Sequence, residues 1–253
     1  MRMPGTAIVV PCYNEAARLD PSAFEQFART GVAHLILVND GSTDGTLALL
    51  RDIAAKAGDR VTVLDLSPNG GKAEAVRRGM LQGIALGADR VGFWDADLAT
   101  PFDAVSGFID CIVTAPAVDA VIGSRVRLLG RRIERRAIRH YTGRAFATAV
   151  SVALRLPVYD TQCGAKLFRV TPALERALAT SFLAKWIFDV ELLARLGQVD
   201  GRYDADRLLN SVYEYPLLQW RDVAGTKLRF SDFMTAALDL FRIYRRSLRR
   251  PSR

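Results

Sequence analysis

The stretch Val91-Gly92-Phe93-Trp94-Asp95-Ala96-Asp97-Leu98-Ala99-Thr100-Pro101 joins a short apolar run to two carboxylates and then to a proline-led helix pattern. Because side chains alternate between the two faces of a strand, Asp95 and Asp97 are expected to point the same way, with small Ala96 between them. Magnesium typically takes one or two protein carboxylates and completes its shell with water and substrate phosphates. The stretch therefore predicts a metal-bridged diphosphate site. The alternative is an acidic turn in which Asp97 or Thr100 caps a helix.

Short apolar runs alternate with helical patterns along the first half of the chain. The runs that predict buried strands are residues 6–11, 33–38, 61–66, 89–95 and 118–122. Strand and helix repeat at intervals of about 25 to 30 residues, which indicates an α/β fold with a mostly parallel central sheet flanked by helices. A later run, residues 211–219, also predicts a strand, and Pro216 within it favours an edge position or a bulge.

Polar loops follow four of the predicted strands, at residues 11–15, 39–44, 67–72 and 95–101. In open parallel sheets, ligands bind beyond the carboxyl ends of the strands, so four such loops at one edge predict a ligand site. Gly70-Gly71-Lys72 lacks the P-loop spacing, and no G-x-G-x-x-G follows the first strand, which disfavours a nicotinamide-binding fold. Lys72 at a helix start is suited to a phosphate; the alternative is a turn followed by a solvated lysine.

The composition fits one large α/β domain or one domain with an appendage, since half of the 253 residues are hydrophobic. The net charge of +8 favours an anionic partner such as a nucleotide, a phosphate, an anionic lipid or a nucleic acid. Two histidines and three widely spaced cysteines disfavour a zinc site and indicate a reduced cytoplasmic chain. No apolar run approaches the roughly 18 residues of a spanning helix, so we expect a protein that is soluble or lies on a membrane surface.

Two basic segments remain ambiguous at this level. The first is a solvated helix face or a cluster that binds an acceptor phosphate. Its arginines are Arg125, Arg127, Arg131, Arg132, Arg135, Arg136, Arg139 and Arg144. The second, residues 232–250, predicts an amphipathic helix that either packs on the core or lies on anionic lipid. Its apolar stripe is Phe233, Ala237, Leu240, Phe241, Tyr244 and Leu248. A nucleic-acid-binding module is disfavoured because the predicted binding edge is acidic.

Several motifs resemble the family-2 glycosyltransferases, which have the GT-A nucleotide-diphospho-sugar transferase fold. They are Val9–Glu15 (VVPCYNE), Val38–Thr46 (VNDGSTDGT), Asn69–Lys72 (NGGK) and Asp95-Ala96-Asp97. Further motifs are similar to those of dolichyl-phosphate β-glucosyltransferases and related polyprenyl-phosphate glycosyltransferases. They are Asp160–Phe168 (DTQCGAKLF), Trp186–Glu191 (WIFDVE) and Gly225-Thr226-Lys227. The resemblance spans about residues 6–230, with the motifs in the family's order.

The resemblance implies roles for the matching residues. Nucleotide-sugar contacts are implied for Pro11, Tyr13, Asn14, Glu15, Asp40, Lys72, Asp95 and Ala96. A Mg²⁺ or Mn²⁺ ion is implied at Asp97, with Asp95 beside it. Catalytic roles are implied for Asp95, Asp97, Asp160, Gln162 and Asp189, with Glu191 also facing the donor sugar or the acceptor. Binding of the acceptor phosphate is implied for Arg125, Arg131, Arg135 and Lys166.

The activity that the resemblance implies is an inverting, metal-dependent transfer of glucose from UDP-glucose to a polyprenyl or dolichyl phosphate. The alternatives are a mannosyltransferase that uses GDP-mannose, or transfer to a hydroxyl, for which Asp160 or Asp189 would remove the proton. We expect a peripheral protein on an anionic, cytoplasmic membrane face, and carry a homodimer as a hypothesis. The expected division is a GT-A domain at 1–230, with a nucleotide-binding half (1–115) and an acceptor half (116–230), followed by a basic helix at 231–253.

The sequence also departs from the family's patterns. The N-terminal anchor of the eukaryotic glucosyltransferases, the C-terminal spanning helices of many bacterial relatives and the Q-x-x-R-W motif of processive synthases are not expected in this chain. Ala165 stands where the family's Cys-Gly-Phe-Lys pattern has a bulkier aromatic residue, so the resemblance does not fix the shape of the sugar pocket.

Overall fold

The computed structural model describes residues 5–134, 137–223 and 230–248. Its strands are β1 (Thr6–Cys12), β2 (His34–Asp40), β3 (Val61–Leu66), β4 (Arg90–Trp94), β5 (Ala120–Ser124), β6 (Arg132–Glu134), β7 (Ala165–Arg169), β8 (Gln198–Val199), β9 (Arg202–Tyr203), β10 (Val212–Pro216) and β11 (Gln219–Arg221). Its helices are α1 (Pro21–Thr30), α2 (Thr46–Ala57), α3 (Lys72–Ala85), α4 (Ala104–Thr114), α5 (Ala137–Leu154), α6 (Pro172–Leu178), α7 (Phe188–Leu196), α8 (Ala205–Ser211) and α9 (Phe230–Ile243). A 3₁₀ turn at Gly58–Arg60 precedes β3, and a π-helical turn at Tyr244–Leu248 follows α9.

Seven strands form the central sheet in the order β10-β5-β7-β4-β1-β2-β3. β7 is antiparallel to both of its neighbours, β4 and β5, and the other pairings in this sheet are parallel. The mostly parallel sheet is therefore confirmed. β10 lies at the edge of the sheet, as Pro216 predicted. A second, two-stranded parallel pair joins β6 to β11.

The central strands are continuous apolar runs because both of their faces are covered. One face packs on α1, α2 and α4, and the opposite face packs on α3, α6 and α7. α1 begins with Asp20 as its N-cap and Pro21 at its first position, and it ends at Gly31 with a left-handed φ of 71°. α3 packs closely on β1, since a Cβ at Gly79 would overlap the Val9 side chain. These helices hold the carboxyl ends of the strands at one edge.

A third apolar cluster lies under the C-terminal helix and involves α5, α7, α8 and α9. Ala236, Ile243 and Leu248 are buried in it. The predicted apolar stripe is not one buried face, because Phe241 and Tyr244 remain exposed. The helix therefore packs on the core through one face and presents apolar side chains on another. Among the described residues, no helix combines the length and the apolar character that a membrane crossing requires.

Candidate active site

The acidic turn that follows β4 is fixed by three hydrogen bonds. Its backbone closes where the amide of Leu98 donates to the carbonyl of Asp95 at 3.1 Å. The amide of Ala99 donates to Oδ1 of Asp97 at 3.1 Å, and the indole of the fully buried Trp94 donates to the carbonyl of Thr100 at 3.1 Å. Asp97 is therefore held by its own turn, at the carboxyl edge of the sheet.

Lys72 provides the cation next to this turn. It is the first residue of α3, and its Nζ lies 2.5 Å from Oδ1 of Asp95. Burial opposes the charged ammonium, but the Asp95 carboxylate outweighs it, with smaller contributions from Asp189 and Asp97, and the pKa of Lys72 is raised. The predicted phosphate-binding lysine and the predicted acidic pair are thus brought together.

Asp97 lies in an electrostatically crowded environment. Burial and the neighbouring Asp95 carboxylate raise the pKa of Asp97, while Lys72 and Arg18 act in the opposite direction. No group of three histidine, cysteine, aspartate or glutamate side chains that could enclose a metal occurs in the described part of the chain. Two carboxylates alone fit a hard cation that takes its other ligands from water and a substrate diphosphate. The donor set therefore matches the predicted kind of metal site.

The loops after β1 and β2 are joined by side chain to backbone hydrogen bonds. Oδ1 of Asn14 accepts the amide of Thr43 at 2.9 Å, and Oγ1 of Thr46 accepts the amide of Glu15 at 2.8 Å. Tyr13 is exposed at this edge. Pro11 lies near the end of β1, where it is in register with Val38 of β2 and beyond the part that pairs with β4. The loop after β1 is thus tied to the loop after β2, and the nucleotide contacts implied for these residues stay predictions.

Asp40, another predicted nucleotide ligand, is buried, and its carboxylate already accepts hydrogen bonds from the protein. Its carboxylate accepts the amides of Gly70 and Gly71 at 2.8 and 2.9 Å, and the side chain of Asn69 at 3.0 Å. In this structure Asp40 positions the loop that leads into Lys72. Its predicted direct contact with the nucleotide remains a prediction.

The acceptor half contains a buried ion pair between Arg125 and Asp160. The guanidinium makes two hydrogen bonds to the carboxylate, at 2.5 and 2.7 Å, and lies 5.2 Å from the ring of Trp220. Burial opposes the charge on Arg125, but Asp160 outweighs it, with a smaller contribution from Asp95, so the pKa of Arg125 is raised. Asp95 is thus electrostatically coupled to cations from both halves of the site. Asp160 is engaged by Arg125, which leaves it poorly placed to act as a base.

Asp189 is also paired, with Gln162 and Lys166. Its carboxylate accepts from Nε2 of Gln162 at 2.6 Å and lies 3.1 Å from Nζ of Lys166. Lys166 is only 1% exposed and also donates to the carbonyl of Cys163 at 2.6 Å. Lys166 is therefore buried and paired with Asp189, and its implied contact with an acceptor phosphate stays a prediction. Glu191 is likewise structural, since it accepts the amides of Leu183 and Ala184.

The remaining predicted arginines lie on the segment after β5. Arg131 is half-buried, on the turn between β5 and β6. Arg135 lies outside the described residues, as does the Gly225-Thr226-Lys227 motif. The predicted contact of Arg131 and Arg135 with the acceptor phosphate stays a prediction.

The structure adds residues that the motifs did not identify. Arg18 forms an ion pair with Glu15 at 2.6 Å, and the charge of Asp97 also favours its protonated form. The three-residue spacing of Glu15 and Arg18 in the sequence could have indicated this pair. Glu214 accepts the amides of Tyr159 and Asp160 at 2.9 and 2.6 Å, and no local pattern indicated it.

β11 connects the acceptor half to the acidic turn. The amide of Arg221 donates to the carbonyl of Ala99 at 3.2 Å. A cavity of about 660 Å³ lies behind the turn, between α1 and the β6–β11 pair, and is lined in part by Leu98, Ala99 and Trp220. The Trp220 ring that stacks on Arg125 therefore also borders the back of the acidic turn.

Substitution of Gly164 should test the close approach to Asp95. A Cβ at position 164 would overlap the Asp95 carboxylate, so Gly164→Ala is expected to displace it and weaken nucleotide-sugar binding at least tenfold, roughly the loss of one charge-assisted contact. The matched control is Gly45→Ala, whose Cβ would make only an ordinary contact, 3.8 Å from the Ala16 side chain. Calorimetric titration with UDP-glucose measures both. Equal affinities would contradict the placement of Asp95 in the donor site.

Comparison of the sequence with models of known protein families identifies the family of this chain. The model for glycosyl transferase family 2 matches residues 7–175, and the chain belongs to that family.

Within the family, the chain is similar to dolichyl-phosphate beta-glucosyltransferases. It is 35% identical to the enzyme of that name from Drosophila melanogaster over an alignment of 260 positions, gaps included. The alignment covers 96% of this chain and 75% of the relative. It is 30% identical to one from Trichomonas vaginalis over 253 residues, which cover 94% of this chain and 70% of the relative.

Solved structures share the fold. A glucosyl-3-phosphoglycerate synthase from Mycobacterium tuberculosis, in complex with Mn²⁺, UDP-glucose and phosphoglyceric acid, superposes with a TM-score of 0.67 at 19% identity, covering 96% of this chain and 80% of that one. A mannosyltransferase from Pyrobaculum calidifontis, in complex with GDP-mannose and Mn²⁺, gives a TM-score of 0.63 at 17% identity, covering 98% and 66%. The central sheet and its helices therefore have the GT-A fold.

Proposed function

We propose that this protein transfers glucose from UDP-glucose to a polyprenyl phosphate of the dolichyl type, with inversion at the anomeric carbon. The observation on which the proposal depends is the Asp95–Asp97 turn beside Lys72, at the carboxyl edge of a parallel sheet. The similarity to dolichyl-phosphate beta-glucosyltransferases supports the choice of sugar and lipid. GDP-mannose remains the second donor to test, since a mannosyltransferase shares the fold.

We infer that a divalent cation, Mg²⁺ or Mn²⁺, belongs to the active enzyme. Asp95 and Asp97 would hold it, and their two carboxylates match what such a cation takes from a protein. When bound, it neutralises the charge of the departing diphosphate. Two structural neighbours were solved with Mn²⁺, which supports a divalent ion without selecting one.

The residues of the chain then have separate tasks. Lys72 lies where it can approach the diphosphate of the donor, because it begins α3 next to the acidic turn. Gln162 and Asp189 form one hydrogen-bonded unit, which would contact the donor sugar. Arg125 orders the acceptor loop through Asp160 and contributes positive charge near Asp95.

The acceptor phosphate is a sufficient nucleophile in this scheme. A phosphate monoester is mostly ionised near neutral pH, since its second pKa is about 6, so one of its oxygens can attack the anomeric carbon without a strong base. Asp160 and Asp189, the two candidate bases, are both engaged with cations. This favours a phosphate acceptor over a hydroxyl acceptor.

The C-terminal helix supports a position on an anionic membrane surface. Leu238, Phe241 and Tyr244 of this segment are exposed, at 57%, 59% and 42%. Arg242, Arg245 and Arg246 interleave with them and are also exposed. An apolar face bordered by arginines is typical of a helix that lies in the interface of an anionic bilayer. The cytoplasmic side, the homodimer and the division of the chain at residue 230 stay predictions.

One assay tests the proposed function directly. Purified protein is incubated with UDP-glucose, GDP-mannose or UDP-N-acetylglucosamine, with dolichyl phosphate in detergent, and with Mg²⁺, Mn²⁺ or a chelator. Glucosyl-phosphoryl-dolichol formed from UDP-glucose only, and only with metal, is the expected result. Thermal stabilisation by the same nucleotide sugars reports donor binding separately from transfer. Transfer from GDP-mannose alone, or transfer at full rate in chelator, would contradict the donor or the metal.

Replacement of Arg131 should separate acceptor binding from donor binding. Arg131→Ala is expected to raise KM for the lipid phosphate about tenfold, since one charge-assisted hydrogen bond is lost, and to leave UDP-glucose hydrolysis unchanged. Arg176→Ala is the matched control, because Arg176 is exposed on α6, which begins at the opposite edge of the sheet. Equal effects of Arg131→Ala on transfer and hydrolysis would remove Arg131 from the acceptor site.

A further inference from the structure

The turn between β5 and β6 presents two adjacent leucines to solvent. We call residues 127–132, with the sequence Arg-Leu-Leu-Gly-Arg-Arg, the leucine tip. Leu129 is fully exposed and Leu128 is half exposed. The amide of Arg131 donates to the carbonyl of Leu128 at 3.1 Å, and Gly130 takes a φ of 79°, so the chain reverses tightly behind the leucines. A tight turn thus holds two large apolar side chains away from the core.

A third exposed leucine lies at the base of the leucine tip. Leu218 is 56% exposed, and its carbonyl accepts the amide of Arg132 at 2.9 Å. It reaches this position because β10, which precedes it, runs parallel to β5 and ends at the same edge of the sheet. Single exposed leucines are ordinary, but here three lie on two segments that a backbone hydrogen bond joins, and this requires an explanation.

The position of the leucine tip relates it to the active site. β5 runs parallel to β4, because both are antiparallel to β7, so the tip lies at the same edge as Asp95 and Asp97. Arg125, which pairs with Asp160, comes two residues before the tip. An acceptor that arrives at this edge from a bilayer would meet the leucines and the arginines together.

We propose that the leucine tip inserts into an anionic lipid bilayer, with Leu128 and Leu129 below the headgroups and Arg131 and Arg132 against the lipid phosphates. The proposal rests on the proposed function, since it places the polyprenyl-phosphate site at the bilayer surface. The bilayer is favoured over a protein partner because arginines border apolar side chains on both sides of the tip, which matches an anionic headgroup layer above an apolar interior.

The test compares vesicle binding by the full chain and two double variants. The variant of the leucine tip is Leu128→Ser/Leu129→Ser, and the control is Leu86→Ser/Val113→Ser, two exposed apolar residues at the C-terminal ends of α3 and α4, at the opposite edge of the sheet. Sedimentation with vesicles of phosphatidylcholine and phosphatidylserine should weaken at least tenfold for the tip variant alone, given the apolar area removed from the bilayer. Binding should also weaken with salt. Wild-type affinity of the tip variant would overturn the proposal, as would a dimer that the tip substitutions break.

A second measurement does not depend on loss of binding. Leu129→Trp places an indole at the tip, and quenching of its fluorescence by brominated phospholipids should exceed that of the wild-type protein. Quenching equal to the wild-type value would also overturn insertion.

A pair of acceptors separates this proposal from the proposed function. The tip variant should glucosylate a short-chain, water-soluble polyprenyl phosphate as fast as the wild type, and dolichyl phosphate embedded in vesicles at least tenfold more slowly, in line with its lost binding. If the wild type glucosylates neither acceptor, the proposed function is wrong. The vesicle measurements still test insertion of the leucine tip in that case. Equal rates of both proteins on the embedded acceptor would contradict insertion of the leucine tip.

Discussion

Replacing Asp97 by asparagine is expected to lower glucosyl transfer by about a thousandfold, a loss in the range seen when one electrostatic contact to a transition state is removed. Asp97 is one of two carboxylates on the acidic turn, and burial and the charge of Asp95 raise its pKa. A bound cation would offset this repulsion, which Asp97→Asn removes. The Ala99 amide can still donate to the amide oxygen of asparagine, so the turn should keep its shape. Transfer rates at increasing Mn²⁺ measure the effect.

The control for this substitution is another aspartate from the same segment. Asp103 is exposed just before α4 and makes no side-chain capping bond there. Asp103→Asn removes the same charge six residues further along the chain and should keep wild-type transfer. Melting curves should coincide for the two variants and the wild type. Near-normal transfer by Asp97→Asn, with or without extra metal, would show that the acidic turn does not hold a catalytic cation.

The sequence was informative where the physics is local. Continuous apolar runs such as those of β1 and β2 identified buried strands, and polar residues after each run identified the edge at which ligands bind. The acidic pair and Lys72 were predicted to belong to one site, and Nζ of Lys72 indeed contacts Asp95. Parallel strands present their carboxyl ends at one edge of a sheet, so local patterns were sufficient to bring these loops together.

The sequence was less informative where charges pair across long separations. Arg125 and Asp160 are 35 residues apart, and Lys166 and Asp189 are 23 apart. An arginine or lysine can bind a substrate or pair with a buried acid, depending on which segments the antiparallel β7 brings together. The hydrophobic periodicity of the sequence does not show which distant segments meet. Lys166 is 1% exposed on β7 and contacts Asp189, a pairing that its local motif did not show, and its implied role toward the acceptor phosphate stays a prediction.

The C-terminal helix shows the same limit in another form. Its apolar residues were predicted to lie on one stripe, but Ile243 is fully buried while Phe241 and Tyr244 are exposed. A helix with apolar residues on more than one face can pack in more than one rotation, and the surface formed by α5, α7 and α8 selects among them. Core packing and the proposed lipid binding are thus compatible, because buried and exposed apolar residues fall on different faces of the helix.

Asp189→Asn should lower the free energy of unfolding by about 3 kcal/mol, since it leaves a buried ammonium without its counter-charge. Lys166 is only 1% exposed, its Nζ lies 3.1 Å from Asp189, and its other near neighbours are the Cys163 carbonyl and the Phe93 ring. None of these can replace a carboxylate. Urea denaturation, extrapolated to water, measures the loss. The control is Asp52→Asn, which breaks an exposed pair with Lys56 and should leave stability unchanged.

The double variant Lys166→Met/Asp189→Asn separates structure from catalysis. It removes both charges and keeps an unbranched apolar side chain at position 166, so most of the lost stability should return. If Asp189 acts only by holding Lys166 and Gln162 in place, transfer should recover along with stability. If stability returns but transfer does not, Asp189 contacts the substrate directly, because repacking cannot replace a group that takes part in the reaction. A single variant as stable as the wild type would show instead that the pair is not buried in solution.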